Sequence, residues 1–401
     1  MTFRIESNTR INKDIVYLLA LGTYLVFAIL NTSLYACYIT AIYKAIILFS
    51  ITLLILREIW QWKMMSIRVL LFFFACILLM MLTAFRGTGA PNSLLTIIVF
   101  TIAASDMDFK KIAQVSYYVI LLMLCFIILS SKTGVVEDYV YVMAGRPRHY
   151  LGFLYTLQPA GLMMESVMLN LYLNKNKKRN YSILVLMTGG IAIFYYTRAR
   201  LTFFFEMFMI LYDVVVRYKP SLGKVKVLNI LEIVSFPFMT CISLYLSLTF
   251  KSCSWKLALN NFLSNRLQLA YNSIEKHGIK LWGENISWYG LGLNKSGNLS
   301  LTNVWTDYNW VDNAYIQALQ LYGIIVCLTL LIMLSVSMYF LVKRKNSYVA
   351  FILLIYSLHG FIDTAMLTLF YNVFWLALLT EFVGRPQVLI EQDLSERGSE
   401  R

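Results

Sequence analysis

Arg198 and Arg200, in Tyr195-Tyr196-Thr197-Arg198-Ala199-Arg200, set two guanidinium groups one residue apart between two apolar runs. A guanidinium stays ionised and offers a planar fork of N–H donors that matches phosphate oxygens in pairs. Two of them in so tight a turn repel each other unless an anion sits between them, so the pair reads as an anion site. The plain alternative is side chains that snorkel to lipid headgroups. Arg86, Arg146 and Arg148 stand at or beside the ends of other apolar runs and carry the same two readings. His149 follows Arg146-Pro147-Arg148 and is a candidate general base or phosphate ligand, or an inert loop histidine. Asp312, in Trp310-Val311-Asp312-Asn313-Ala314-Tyr315, could take a proton from an attacking hydroxyl, or could cap the helix that follows. His359 and Asp363 are four apart in an apolar run, hence on one face of a helix, where they line a cavity or lock helices together. Asp106-Met107-Asp108 has the spacing of a metal–nucleotide motif, but it stands just before Lys110 and Lys111, and first-turn acids at a helix start explain it.

The elements that must position these groups are membrane helices. Apolar residues make up 59% of the 401 and charged residues 14%, against roughly 25% charged in soluble domains. A soluble globule is excluded, since the chain cannot supply a charged surface. The net charge of +14 falls in short clusters between apolar runs, which is the pattern of membrane topology rather than of nucleic-acid binding. A crossing needs about 20 mostly apolar residues. Runs of that kind occur at 14–32, 34–56, 67–85, 91–106, 112–131, 151–173, 181–197, 201–216, 228–250, 316–342, 348–364 and 366–384. The expected fold is an all-α polytopic membrane protein of about a dozen transmembrane helices, fewer if the short fourth, eighth or eleventh runs do not cross. Gln158, Pro159 and Glu165 make 151–173 the run expected to bend or line a cavity.

Basic residues fix the orientation. Arg4, Arg10 and Lys13 precede the first run, and every second connection is basic, for example Lys175/Lys177/Lys178/Arg179 and Lys343/Arg344/Lys345. Both termini are therefore expected in the cytoplasm. The chain divides into an N-terminal bundle at 1–250, a large extracytoplasmic loop at 251–315, C-terminal helices at 316–384 and a cytoplasmic tail at 385–401. The loop holds Trp255, Trp282, Trp288, Trp305 and Trp310, whose rings suit either the membrane interface or a sugar face. No cleavable signal peptide is evident, and the six cysteines read as small apolar residues. No G-x-x-x-x-G-K-[ST], H-E-x-x-H or G-x-S-x-G occurs, so bond formation outside must draw on a bond in the donor itself.

Three stretches together resemble the Wzy-type polysaccharide polymerases of bacterial capsule, exopolysaccharide and O-antigen assembly, within the O-antigen ligase-like superfamily. Thr197-Arg198-Ala199-Arg200-Leu201-Thr202 is similar to a Ser-Arg-Thr element after a span. Asn265-Arg266-Leu267, then Gly278-Ile279-Lys280-Leu281-Trp282-Gly283, resembles the long-loop pattern. Val311-Asp312-Asn313-Ala314-Tyr315, with Leu321-Tyr322-Gly323 beyond, resembles the return into the membrane. The resemblance implies a plasma-membrane glycosyltransferase of C-type architecture with an outward site, acting on undecaprenyl-diphosphate-linked glycans, with no metal, nucleotide or other cofactor and no nucleic acid. The lipid bilayer and other proteins of the assembly pathway are the implied partners. Arg200 and Arg266 would hold the donor diphosphate, Asp312 would stand where related ligases often have His, and His149 or Asp363 are rival bases. Asn313 and Tyr315 belong to the same substrate site. A lipid-linked oligosaccharide flippase, or a ligase moving finished glycan, are the alternative readings.

Overall fold

The structure is a computed structural model that describes residues 2–60, 67–86, 90–143, 145–177, 180–219, 226–300, 308–344 and 346–383. Its helices are α1 (Thr2–Leu30), α2 (Ala36–Trp60), α3 (Ile67–Arg86), α4 (Ala90–Ala103), α5 (Phe109–Lys132), α6 (Gln158–Leu173), α7 (Ser182–Thr197), α8 (Arg200–Tyr218), α9 (Lys226–Thr249), α10 (Ser254–Phe262), α11 (Arg266–His277), α12 (Ala314–Lys343), α13 (Ser347–His359) and α14 (Ala377–Val383). One antiparallel hairpin, β1 (Val140–Met143) with β2 (Arg146–His149), stands between α5 and α6. Among the described residues, four segments are long and apolar enough to cross a membrane: Lys13–Leu30, Phe109–Lys132, Lys226–Ser252 and Ala314–Lys343. The chain is thus an all-α membrane protein, because in lipid a run of backbone must satisfy its own hydrogen bonds. The tail at 385–401 lies outside the described residues.

Two helices form the centre. Every residue of α6 from Pro159 to Tyr172 is buried, and α13 is buried along most of its length. A helix apolar on all sides belongs inside a bundle. Around them α6 packs on α5, α7 and α8, while α13 packs on α8 and α9, and α9 also packs along α12. At one end of the bundle Arg57 is 1% exposed and ties α1, α2 and α4 together. Its guanidinium donates to the carbonyls of Lys13 and Ala103 and pairs with Glu58 and Asp106. Asp108 caps α5 by accepting from the Lys110 amide. Asp108 thus holds the start of α5, as the helix-start reading expects, whereas Asp106 ends the 3₁₀ turn before it and pairs with Arg57.

Helices break at four places. The run 151–173 becomes helical only at Gln158, with Pro159 in the first turn. α12 is interrupted at Gly323, whose φ is +83°. α13 stops at His359, so Asp363 lies in the turn beyond it, and the expectation that both side chains share one helix face is corrected. The run 366–384 is not one helix either. It is three short 3₁₀ turns (Ala365–Leu367, Leu369–Tyr371, Val373–Leu376) followed by α14. This irregular chain runs down to the start of α5, where Phe374 packs on Phe109 and Tyr172. It is tolerated because buried side chains serve its backbone: Glu165 accepts from the Val373 amide at 2.9 Å and from the Tyr356 hydroxyl.

The break in α12 has a partner. Gly283, with φ +76°, lies so close that a Cβ on Gly323 would sit 2.3 Å from the Leu281 carbonyl oxygen. The freed amides of Ile324 and Ile325 donate to the carbonyls of Lys280 and Leu281, and the Glu284 amide donates to that of Gln320. Two of the stretches that carry the family resemblance are thus one backbone joint, and both positions need glycine.

Candidate functional site

The breaks meet at one cavity of about 240 Å³. Tyr155 and Gln158 come from the start of α6, Trp310 and Asp312 from the chain before α12, and Asp363 and Thr364 from the turn after α13. Non-helical backbone at membrane depth is tolerated where it is covered by protein or lines such a space. The volume falls below the roughly 300–1,000 Å³ of small-molecule pockets, so it admits a headgroup-sized piece of a larger ligand.

Arg266, the first residue of α11, reaches Asp312 with Nε 3.4 Å from Oδ2, and the two side chains are 15% and 9% exposed. The contact is an ion pair rather than a full hydrogen bond, and the buried Nε has no hydrogen-bond partner among the described residues. Arg266 sits there because Ser264 and Asn265 both take left-handed φ, turning the chain sharply out of α10. Arg148 carries a second buried, unpartnered Nε. Tyr308 lies within electrostatic reach of Arg148, Arg266 and Asp312. Burial pushes the Asp312 carboxyl up to about 6, the Arg266 charge pulls it down in part, and Asp363 pushes it further up. Arg266 also donates through Nη1 to the Leu263 carbonyl at 3.4 Å, so an anion would use the Nε groups that lack a hydrogen bond, beside a carboxylate able to accept a proton near neutrality.

The cap of α12 is Asn313, not Asp312. Its side-chain oxygen accepts from the amides of Tyr315 and Ile316, and its amide donates to Ser243 Oγ and the Phe361 carbonyl. This corrects its expected role in substrate binding, because no hydrogen-bonding capacity is left. It also leaves Asp312 free of capping. Tyr315 is buried, with its hydroxyl on the Ser357 carbonyl and Oγ, so it locks α12 to α13, and it also lines the apolar groove beside the cavity.

The other expected residues are spread around this centre. His359 faces α8, with Nε2 3.3 Å from Thr202 Oγ1 and Phe205 edge-on at 5.7 Å, and the charge of Arg266 reaches it. Arg198 caps α7 in left-handed conformation and lies over the Tyr195 ring, and Arg200 is exposed at the start of α8. Their neighbour Leu201 packs in the same small apolar cluster as Leu267, so the Arg200 and Arg266 stretches adjoin. His149 is paired through Nδ1 with Asp138 at 2.8 Å, and Arg146 is exposed on the same strand. Arg86 ends α3, and its side chain lies outside the described residues, as does Trp305.

Tyr155, Tyr308 and Gln158 complete the centre. Only Gln158 had a signal in the sequence, as a polar residue beside a proline in an apolar run. Beyond the cavity an apolar groove of about 220 Å³ runs between α4, α9 and α12, lined by Leu94, Ile98, Phe236 and Leu334, and it shares Tyr322 and Leu367 with the cavity. No family model matches the chain, and no curated protein and no solved structure matches it either.

Proposed function

We propose that this protein is a polysaccharide polymerase of the bacterial plasma membrane. It joins undecaprenyl-diphosphate-linked repeat units by glycosyl transfer on the outer face. The observation that carries the reading is the buried Arg266–Asp312 pair, whose aspartate lines a cavity that shares Tyr322 and Leu367 with an apolar groove. A charged headgroup on a long lipid is the ligand that uses both halves. About a dozen crossings, cytoplasmic termini and an outward 251–315 segment complete the topology, with the irregular 360–376 chain and α14 together making the last crossing.

In this mechanism the donor diphosphate takes Arg266 and Arg148 as counter-charges and the prenyl chain follows the groove. Displacing Arg266 from Asp312 frees the carboxylate. Asp312 then accepts the proton of the acceptor's hydroxyl as its oxygen attacks the anomeric carbon, and the bond from that carbon to the phosphate oxygen breaks. The leaving diphosphate keeps the electron pair, and the arginines stabilise the charge that develops on it. Arg198 and Arg200 extend the anion site along the start of α8. The test is alanine at Arg266 or Arg200. Folded protein with single-repeat lipid accumulating outside is the expected result, and full-length polymer from either variant overturns that residue's role. Lysine should rescue poorly, because it keeps the charge and loses the fork.

A further inference from the structure

Helix α10 is built with its polar side inward. Its buried residues are Lys256 and Asn260, whereas Trp255 is 56% and Phe262 72% exposed. Trp255, Ala258 and Phe262 recur at helical spacing and form one outward stripe. The inward groups are partnered within the protein. Lys256 Nζ donates to Tyr245 Oη, Thr249 Oγ1 and Ser252 Oγ at 3.2, 2.8 and 3.2 Å. Asn260 donates to Asn265 Oδ1 and accepts from the Gln268 amide.

The place of the stripe is fixed by what precedes it. Lys226–Ser252 is long and apolar enough to cross the membrane, and α10 begins two residues later, after an extended Cys253. Continued straight along α9, the chain would lift Lys256 about 16 Å above Tyr245, beyond a lysine's reach. The Lys256–Tyr245 bond therefore means that α10 folds back across the end of α9. Tyr245 and Leu248 of α9 are themselves 56% and 50% exposed, so apolar surface continues from the crossing helix. Tryptophan and phenylalanine on one face, at the height where a helix leaves the bilayer, fit an in-plane helix at the lipid interface.

We propose that α10 lies in the interface of the bilayer with Trp255, Ala258 and Phe262 in lipid, an anchor that fixes the depth at which Arg266 is presented. The proposal stands independently of the transfer reaction. Its test uses nitroxide labels on single cysteines at 255, 258 and 262, and at exposed Lys295 as control, in full-length protein whose six native cysteines are replaced. The protein is placed in phosphatidylethanolamine–phosphatidylglycerol nanodiscs, and collisions with oxygen and with a water-soluble nickel chelate are compared. The three stripe labels should favour oxygen severalfold, and the control should favour nickel. Nickel-dominated labels at the stripe, or labels shielded from both reagents by a second copy or another protein, overturn the proposal. As a check without labels, Trp255→Tyr should lose part of the fluorescence quenched by brominated lipid, and unchanged quenching also overturns it.

Discussion

The carboxyl of Asp312 should set the pH dependence of the reaction. Burial raises it to about 6 in the face of Arg266, and Asp363 pushes the same way as burial. A general base works only when ionised, so with substrate well below saturation, where the profile reports the free enzyme with Arg266 still against Asp312, the rate must rise with pH through that value. The ionised share is about 90% at pH 7 and about 10% at pH 5, so the rate at pH 5 should be roughly a tenth of the alkaline plateau. An ordinary aspartate near ~3.9 would still be mostly ionised at pH 5, and the profile would stay flat. Asp312→Asn should lower the plateau by about 10²–10⁴-fold and abolish the limb. Arg266→Gln removes the group that holds the carboxyl down, so its residual activity should show the limb at higher pH. The assay is the initial rate of undecaprenyl diphosphate release from defined lipid-linked repeats in nanodiscs, with intrinsic fluorescence reporting folding at each pH. A flat profile, or a limb that survives Asp312→Asn, refutes Asp312 as the base.

Three further substitutions test the frame. Asn313→Ala removes the cap of α12 and two buried donors, and should cost about 2–4 kcal/mol, read as a lower melting temperature in detergent. Asn313→Asp should recover part of that loss, because it keeps the capping oxygen. Gly323→Ala forces a Cβ to within 2.3 Å of the Leu281 carbonyl at a left-handed φ. It should release the 280–284 segment, seen as faster proteolysis at Lys280 with α1–α9 still protected. Arg57→Met removes the buried cation that joins the carbonyls of Lys13 and Ala103 to Glu58 and Asp106, and should cost about 3–5 kcal/mol, read as loss of monodisperse protein on size exclusion.

Much of the frame was legible because hydropathy and helix formation are the same constraint in lipid. The run at 112–131 falls inside α5, and those at 34–56 and 228–250 overrun α2 and α9 by no more than two residues. It failed at 366–384, where Thr368 and Asn372 interrupt an apolar run that is buried by neighbours and served by Glu165. Hydropathy reports that a segment avoids water, not that its backbone is helical. For Asp312 the residues allowed base or cap, and one step along the chain decided it, since either Asp312 or Asn313 could have capped α12. The resemblance places Asn313 in the substrate site, and its residue type alone does not separate that role from capping. The partnership of Arg266 with Asp312 spans a gap in sequence that no local pattern crosses, and only the resemblance pointed to it. Tyr155 and Tyr308 carried no signal at all, since tyrosines abound along this chain.

The most direct test of the central claim is made with purified protein in nanodiscs supplied with one synthetic undecaprenyl-diphosphate-linked repeat. The account predicts a ladder of glycan lengths, one undecaprenyl diphosphate released per bond formed, and no ladder from folded Arg266→Ala. An unreduced ladder from that variant would contradict it, as would wild-type protein that binds the lipid and moves it across the membrane without forming a bond.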